Sequence, residues 1–335
     1  MKKSLIIYLF LLILALGGGC GAAPQSGQPP SASGAENSPA ASPETGAETS
    51  PAASPETEAE PPPAGRPLLR CLYFDDQLVG GGIRAAKKYE APGELTAGMI
   101  PHHLLASDMI AGFFELASRQ EEPFDRVLIV SPSHFPENCP SDVVTARADW
   151  DTPYGVLSLD EETAEALLAD DVIAASDAPA AVEADHGAAG LIPFVKKYLP
   201  GARVSVCLLS NRLPPQRLEA VQKAIAALRE EGRILVVASA DCSHYLTPDQ
   251  AALRDEETAR AIEGWDFARI FTFGDSNVDS PQAVTTFLRA AQDKGAALTR
   301  LDHASSQDML PHALSNPVYR EGITTYYVYA ATLPD

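Results

Sequence analysis

The residues of this 335-residue chain with the most chemical potential fall in four short runs. Asp241-Cys242-Ser243-His244 packs four reactive side chains into consecutive positions. Pro101-His102-His103, Ser131-Pro132-Ser133-His134 and Asp185-His186 each add imidazoles, the last beside a carboxylate. Imidazoles joined by a carboxylate from Asp241, Asp185 or Asp279 would make a first-row metal site of the two-histidine, one-carboxylate sort. No HExxH and no paired CxxC occurs, so the usual zinc signatures are missing. A competing chemistry is nucleophilic. Ser243 or Cys242 beside His244, with Asp241 or Asp185 as orienting group, has the parts of a triad. Adjacent residues on one extended turn rarely point at each other, however, and no GxSxG elbow is present. Cys242 also reads as a redox-sensitive thiol or as a small buried residue, the second being the commoner case. Gly80-Gly81-Gly82 has no following Lys-Ser/Thr, and no GxGxxG follows a strand, which argues against a nucleotide site.

Positioning such side chains takes strand ends. Arg233–Ser239 is a short apolar run that breaks into the polar Asp241–His244 cluster, as a buried central strand does at its carboxyl end. Glu94–Ile100 leads into His102 and His103, and Leu104–Arg119 follows with helical periodicity. Arg126–Val130 is a second buried strand ending at His134, and Val204–Leu209 a third. Asp142–Arg147 and Val156–Leu159 read as edge strands. Helices are expected over Asp160–Leu168, Pro215–Glu231, Gln250–Ile262 and Pro281–Gln292, and from Asp185, a plausible N-cap, to Tyr198. Ala297–Ala304 and Thr324–Ala331 close the sheet. Strands alternating with helices predict a single α/β domain with a central mixed or mainly parallel sheet flanked by helices. In such sheets ligands bind at the carboxyl ends of the strands. If the strands before His102, His134 and His244 are parallel neighbours, those three histidines face one crevice.

The ends and the charge set the surroundings. Lys2 and Lys3, the apolar run Leu5–Leu16 and Gly17-Gly18-Gly19-Cys20 have the form of an export signal, with Cys20 placed as a lipobox cysteine for cleavage and lipidation. Residues 21–65 consist almost wholly of Ala, Pro, Ser, Gly, Glu and Thr, with ASPET repeated at Ala41–Thr45 and Ala53–Thr57. Such a stretch cannot bury enough apolar surface to fold and acts as a semi-extended tether. The expected product is an exported lipoprotein of the cell envelope, with residues 66–335 as its folded part. Of the formal −20 charge, Lys2, Lys3 and the six linker glutamates account for −4, leaving −16 on that part. An acidic body disfavours nucleic acid and anionic membrane surfaces, so membrane contact is expected through the lipid alone. Cys71, Cys139, Cys207 and Cys242 are too few for a disulfide framework. A Cys71–Cys139 bridge cannot be argued from spacing, and Cys207 reads as plain core.

Taken in order, these motifs resemble the Memo-like family, known in bacteria as AmmeMemoRadiSam system protein B. Pro101-His102 matches its PH motif and Ser131–Phe135 its GPSHH. Asp185-His186 with Ile192-Pro193-Phe194 matches its acidic-His segment and LPF. Ala240–Tyr245 matches its SSDFCHW-type loop with the cysteine moved by one place, and Ala304–Gln307 is similar to a late family segment. Memo-like proteins are similar in fold to class III extradiol ring-cleaving dioxygenases, which hold non-haem Fe(II). The resemblance implies a metal site of His102, His134, His244 and Asp241, with His186, His244 and Asp241 in proton transfer. It implies a divalent metal (Fe(II) first, Cu or Zn as alternatives) and a small-molecule ligand such as an aromatic diol. A non-haem oxidoreductase is one outcome, and a non-catalytic metal-binding or scaffold protein of the same fold the other. The family name further implies association with AMMECR1-like and radical SAM proteins. Three positions depart from the pattern: the family cysteine falls on Asn277, a family Glu on Ala189, and His103 replaces a small residue.

Overall fold

A computed structural model describes residues 65–310 and 322–334. The signal segment, Cys20, nearly all of the linker and His312 lie outside the described residues.

Among the described residues, twelve strands form two sheets. The smaller contains β1 (Leu68–Arg70), β5 (Asp149–Thr152) and β6 (Gly155–Leu157). The larger contains β2 (Glu94–Ile100), β3 (Arg126–Pro132), β4 (Val143–Thr145), β7 (Ser176–Asp177), β8 (Arg203–Leu209), β9 (Ile234–Ser239), β10 (Cys242–Leu246), β11 (Ala297–Ser305) and β12 (Ile323–Leu333), in the order β10-β12-β2-β9-β3-β8-β4-β7, with β11 also on β12. The neighbours β2, β9, β3 and β8 run parallel, whereas β12 is antiparallel to β2 and β4 to β8. The sheet is therefore mixed around a parallel centre, as the alternating pattern predicts.

Period-two alternation splits the central strands between two cores. Leu235 and Val237 of β9 join Val127, Ile129, Val206 and Leu208 on one face. Val236 and Ala238 join Leu128, Val130, Cys207 and Leu209 on the other. Helices Ser107–Ser118 and Ile192–Tyr198 contribute Phe113, Phe114, Phe194 and Val195 to the first core. Helices Pro215–Glu231 and Pro281–Asp293 contribute Val221, Ile225, Val284 and Phe287 to the second. Burial on both faces explains why these strands read as unbroken apolar runs. Gly98 of β2 is required for close approach, because a Cβ there would collide with the Phe113 ring.

One local expectation needs correction. The helix opened by Asp185 does not run unbroken to Tyr198: it stops at Ala189 and resumes at Ile192. Pro193 is the reason, since it lacks an N–H and crowds the carbonyl four residues back, so it sits in the first turn of a new helix instead. Strands β1 and β5 had no legible signal, being three and four residues long with Asp149 and Asp151 in the latter. All four described cysteines are free thiols, with Cys207 and Cys242 buried in the core.

Candidate metal centre

Because β2, β9 and β3 are adjacent and parallel, the residues after them meet at one end of the sheet. Ser239 ends β9 and Asp241 follows it, between His102 beyond β2 and His134 beyond β3. Asp241 Oδ1 accepts the backbone N–H of His102 (3.0 Å) and of His103 (3.4 Å), fixing that strand end. Asp185 does the same for His134, its Oδ2 accepting the backbone N–H at 2.8 Å. Asp279 enters from the turn before helix Pro281–Asp293, tied by its own N–H to the Asp241 carbonyl (3.1 Å).

Hydrogen bonds on the far side of each ring decide which nitrogen faces the centre. Ser239 Oγ donates to the Gly187 carbonyl (2.5 Å), so it must accept from His102 Nδ1 at 3.0 Å. His134 Nδ1 donates to Asp185 Oδ1 (2.8 Å), which also accepts the Gly187 N–H (2.9 Å). Both imidazoles thus carry their proton on Nδ1 and turn Nε2 inward, the arrangement that outer partners impose on metal-bound histidines. Gly187 permits the packing: a Cβ there would lie 2.6 Å from His134 Cε1.

What the two Nε2 atoms face is negative. His102 Nε2 is 3.3 Å from Asp279 Oδ2 and 3.6 Å from Asp241 Oδ2, and His134 Nε2 is 3.9 Å from Asp279 Oδ2. Both Asp279 oxygens are buried without a hydrogen bond. That agrees with the short 3.3 Å approach, because His102 Nε2 has no proton to give. A buried carboxylate without a hydrogen bond, beside the bare Nε2 of His102, calls for a cation. His102, Asp241 and Asp279 form one cluster with ligand atoms within 4.8 Å of one another, and His102, His134 and His186 a second.

Proton affinities respond to this crowding. Burial, then the Asp279 carboxylate, pushes the Asp241 carboxyl up to about 8. Burial opposes charge on His134, but Asp185 and then Asp279 outweigh it and raise the imidazole to about 10. In effect a proton held there takes the place of a cation. Asp185 is lowered despite its burial, by its pairing with His134. His102 lies well below the usual histidine range, first through burial and then through the surrounding imidazoles. Burial and the charge of His134 bring His186 down to about 3, and burial with His244 brings His103 down to about 4.

The sequence-derived candidates divide by position. His102, His134, Asp241 and His186 come together, the His186 ring lying 3.9 Å from that of His134. His244 stands outside both ligand clusters. It borders them as a half-buried ring of lowered pKa, desolvation being the main cause, and its buried Nδ1 has no partner among the described residues. Left-handed residues flank it, Ser243 at φ 28° and Tyr245 at φ 60°, and its N–H donates to the Asp275 carbonyl (2.8 Å). Such backbone in a non-glycine loop is costly and is typical of sites where a side chain must be aimed. The triad is not formed: Ser243 Oγ donates to Asp255 (2.6 Å), away from His244. Asn277 also turns away, its amide donating to Thr258 Oγ1 (3.2 Å) and Glu257 (3.3 Å). The inward group from this turn is Asp279, two residues further on. Alternation along an extended turn was the only signal for that, and it does not say which phase faces in.

Fold and cluster together define a mixed α/β protein with a histidine–carboxylate centre, suited to a metal, at the carboxyl ends of adjacent parallel strands. The family model described as Memo-like protein matches residues 94–321, and the chain belongs to that family. It is similar to the MEMO1 family protein of Caldivirga maquilingensis, 27% identical over 201 residues, covering 57% of this chain and 69% of the relative. Similarity to MEMO1 family protein PAE0818 of Pyrobaculum aerophilum is 25% over 240 residues, or 68% of this chain and 82% of the relative. A crystal structure of an uncharacterized protein from Escherichia coli K12 aligns with 70% of this chain and 99% of its own, at 16% identity and a TM-score of 0.47.

Proposed function

We propose that this Memo-like domain is an envelope lipoprotein's metal centre, holding one divalent transition ion between His102 Nε2, His134 Nε2 and Asp279, with Asp241 alongside. The observation that carries the reading is the Asp279 carboxylate, buried and without a hydrogen bond, facing the Nε2 atoms of two imidazoles whose Nδ1 atoms are held by outer partners. Two nitrogens and one or two carboxylate oxygens suit Fe(II) or Zn(II) better than a soft ion such as Cu(I), which favours the thiolate that Asn277 does not supply. An Fe(II) ion held there would bring the Lewis acidity and redox chemistry of ring-cleaving dioxygenases, with an aromatic diol as ligand. The protein's own part is proton handling. His244 Nδ1, buried and unpartnered, is placed to take a proton from a phenolic hydroxyl, and His186, lowered to about 3, is a second neutral acceptor. Asp185 and Ser239 hold the two ligand rings in one tautomer. Cys20 lipidation would place the domain outside the cytoplasm, where contact with AMMECR1-like or radical SAM proteins is not expected.

A non-catalytic metal-carrying scaffold is the rival, favoured by the depth of the site: the His102 and Asp241 side chains are only 2% and 4% exposed. Oxygen uptake by the Fe(II)-loaded protein on a panel of catechols separates the two. The enzyme reading expects uptake that His244→Ala abolishes while metal content stays at one equivalent. A loaded protein that consumes no oxygen on any diol leaves the scaffold.

A further inference from the structure

Arg212 is unlike every other described arginine. From Arg66 to Arg300, each of the others directs its guanidinium to a carboxylate, a carbonyl or a side-chain oxygen. Among the described residues the Arg212 guanidinium has no hydrogen bond and no ion pair. Only its backbone is engaged, the N–H donating to Ser210 Oγ at 3.1 Å. An unpaired cation is conspicuous in a domain of charge −16, where carboxylates are plentiful.

Its position gives the isolation meaning. Arg212, itself exposed, lines an open surface pocket of about 320 Å³ with Ser133, Pro136, Cys139, Ser210 and the Asp142–Arg217 pair. Arg217 is neutralised by Asp142 at 3.0 Å and donates further to the Ile173 carbonyl, so Arg212 leaves the cavity with one net positive charge. The walls belong to the segments that carry the metal centre. Ser133 precedes His134, and its N–H donates to the Leu209 carbonyl (2.9 Å), joining the ends of β3 and β8. Arg212 follows Asn211, whose amide donates to the Asp279 carbonyl (2.9 Å). His134 is the most exposed of the four central side chains, at 19%.

We propose that this cavity is a carboxylate-binding subsite. It takes a small organic acid, held by the planar fork of Arg212 and the hydroxyl of Ser210, which accepts the Arg212 N–H and donates to no other group among the described residues. One net positive charge beside Asp142 matches a monoanion better than a dianionic phosphate. The opposite end of the ligand extends toward His134 and Asp279. That last point rests on the metal-centre reading, whereas the subsite itself does not.

Calorimetric titration of the full-length protein, metal-free and metal-loaded, tests it with benzoate, with benzamide as the neutral isostere, and with inorganic phosphate. The expected result is saturable 1:1 binding of benzoate in both forms and none of benzamide. Arg212→Ala should weaken benzoate roughly tenfold or more, the loss typical of a hydrogen bond to a charged group. Arg212→Lys should retain part of the affinity, and metal content should be unchanged in both variants. Benzoate binding unaltered by Arg212→Ala, equal binding of benzamide, tighter binding of phosphate, or no saturable binding would each overturn the proposal. Loss of the metal-centre reading would instead appear as a protein without metal that still binds benzoate through Arg212.

Discussion

His102 and His134 are held through their Nδ1 atoms, and that constraint, more than proximity, makes the centre suitable for a metal. Removing the inward carboxylate by Asp279→Asn should cost metal affinity by more than the roughly 10- to 100-fold typical of an outer partner. Ser239→Ala, which frees the His102 ring, should fall within that roughly 10- to 100-fold range; competition with a chelator of known affinity measures both. The pH response follows from the same groups. Asp241 and His134 have folded values above their unfolded ones (3.8 and 6.5), so the stability they add is complete below those values and lost as pH rises through about 8 and about 10. His102, His103 and His186 are lowered, so their contribution is complete above 6.5 and lost as pH falls. The site of the metal-free protein is therefore most stabilising near pH 6.5. Thermal melts at constant ionic strength should show a drop toward pH 8.5 that a saturating divalent metal reduces, because the ion replaces the protons. A metal-free protein steadily more stable toward pH 8.5 would contradict these assignments. His102, His134 and Asp241 were legible in sequence because each directly follows an apolar run. Asp279 was only one of three candidate carboxylates, since spacing within a turn does not reveal which side chain faces inward.

One buried carboxylate governs the loop bearing His244. Asp255, on helix Pro248–Glu263, accepts from Ser243 Oγ (2.6 Å) and Thr325 Oγ1 (2.7 Å) and pairs with His303 Nε2 (2.8 Å), joining β10, β12 and β11 to that helix. It thereby holds Ser243 in its left-handed conformation next to His244. Asp255→Ala should lower stability by on the order of 2 kcal/mol or more, because two buried hydroxyls lose their acceptor. Denaturant midpoints check this, and metal affinity should change far less, since no ligand atom is involved. An unchanged midpoint would show that the network is not needed to hold the loop. The parallel strands and long helices could be read from sequence, their apolar periodicity being sustained over many residues. The break between Ala189 and Ile192 and the short strands β1 and β5 could not, because they depend on one proline and on tertiary pairing. The Asp255 network escaped notice for a related reason: its members lie up to 70 residues from Asp255.

For the molecule as a whole, the expectation is an acidic metal-binding domain at the end of a Pro-rich tether. If Cys20 carries the anchor, Cys20→Ser should move the protein from the membrane fraction to the soluble fraction, with metal content unchanged. A Cys20→Ser protein that stays with membranes would remove the lipoprotein assignment without touching the metal centre. The acidity of the domain also predicts no retention on nucleic acid at physiological salt. The decisive measurement is the metal content of the purified full-length protein and of the His102→Ala/His134→Ala double variant, after equilibration with Fe(II) or Zn(II) and removal of excess. One equivalent in the parent and essentially none in a folded double variant is the predicted result. Equal metal in both, or none in the parent, would contradict the account.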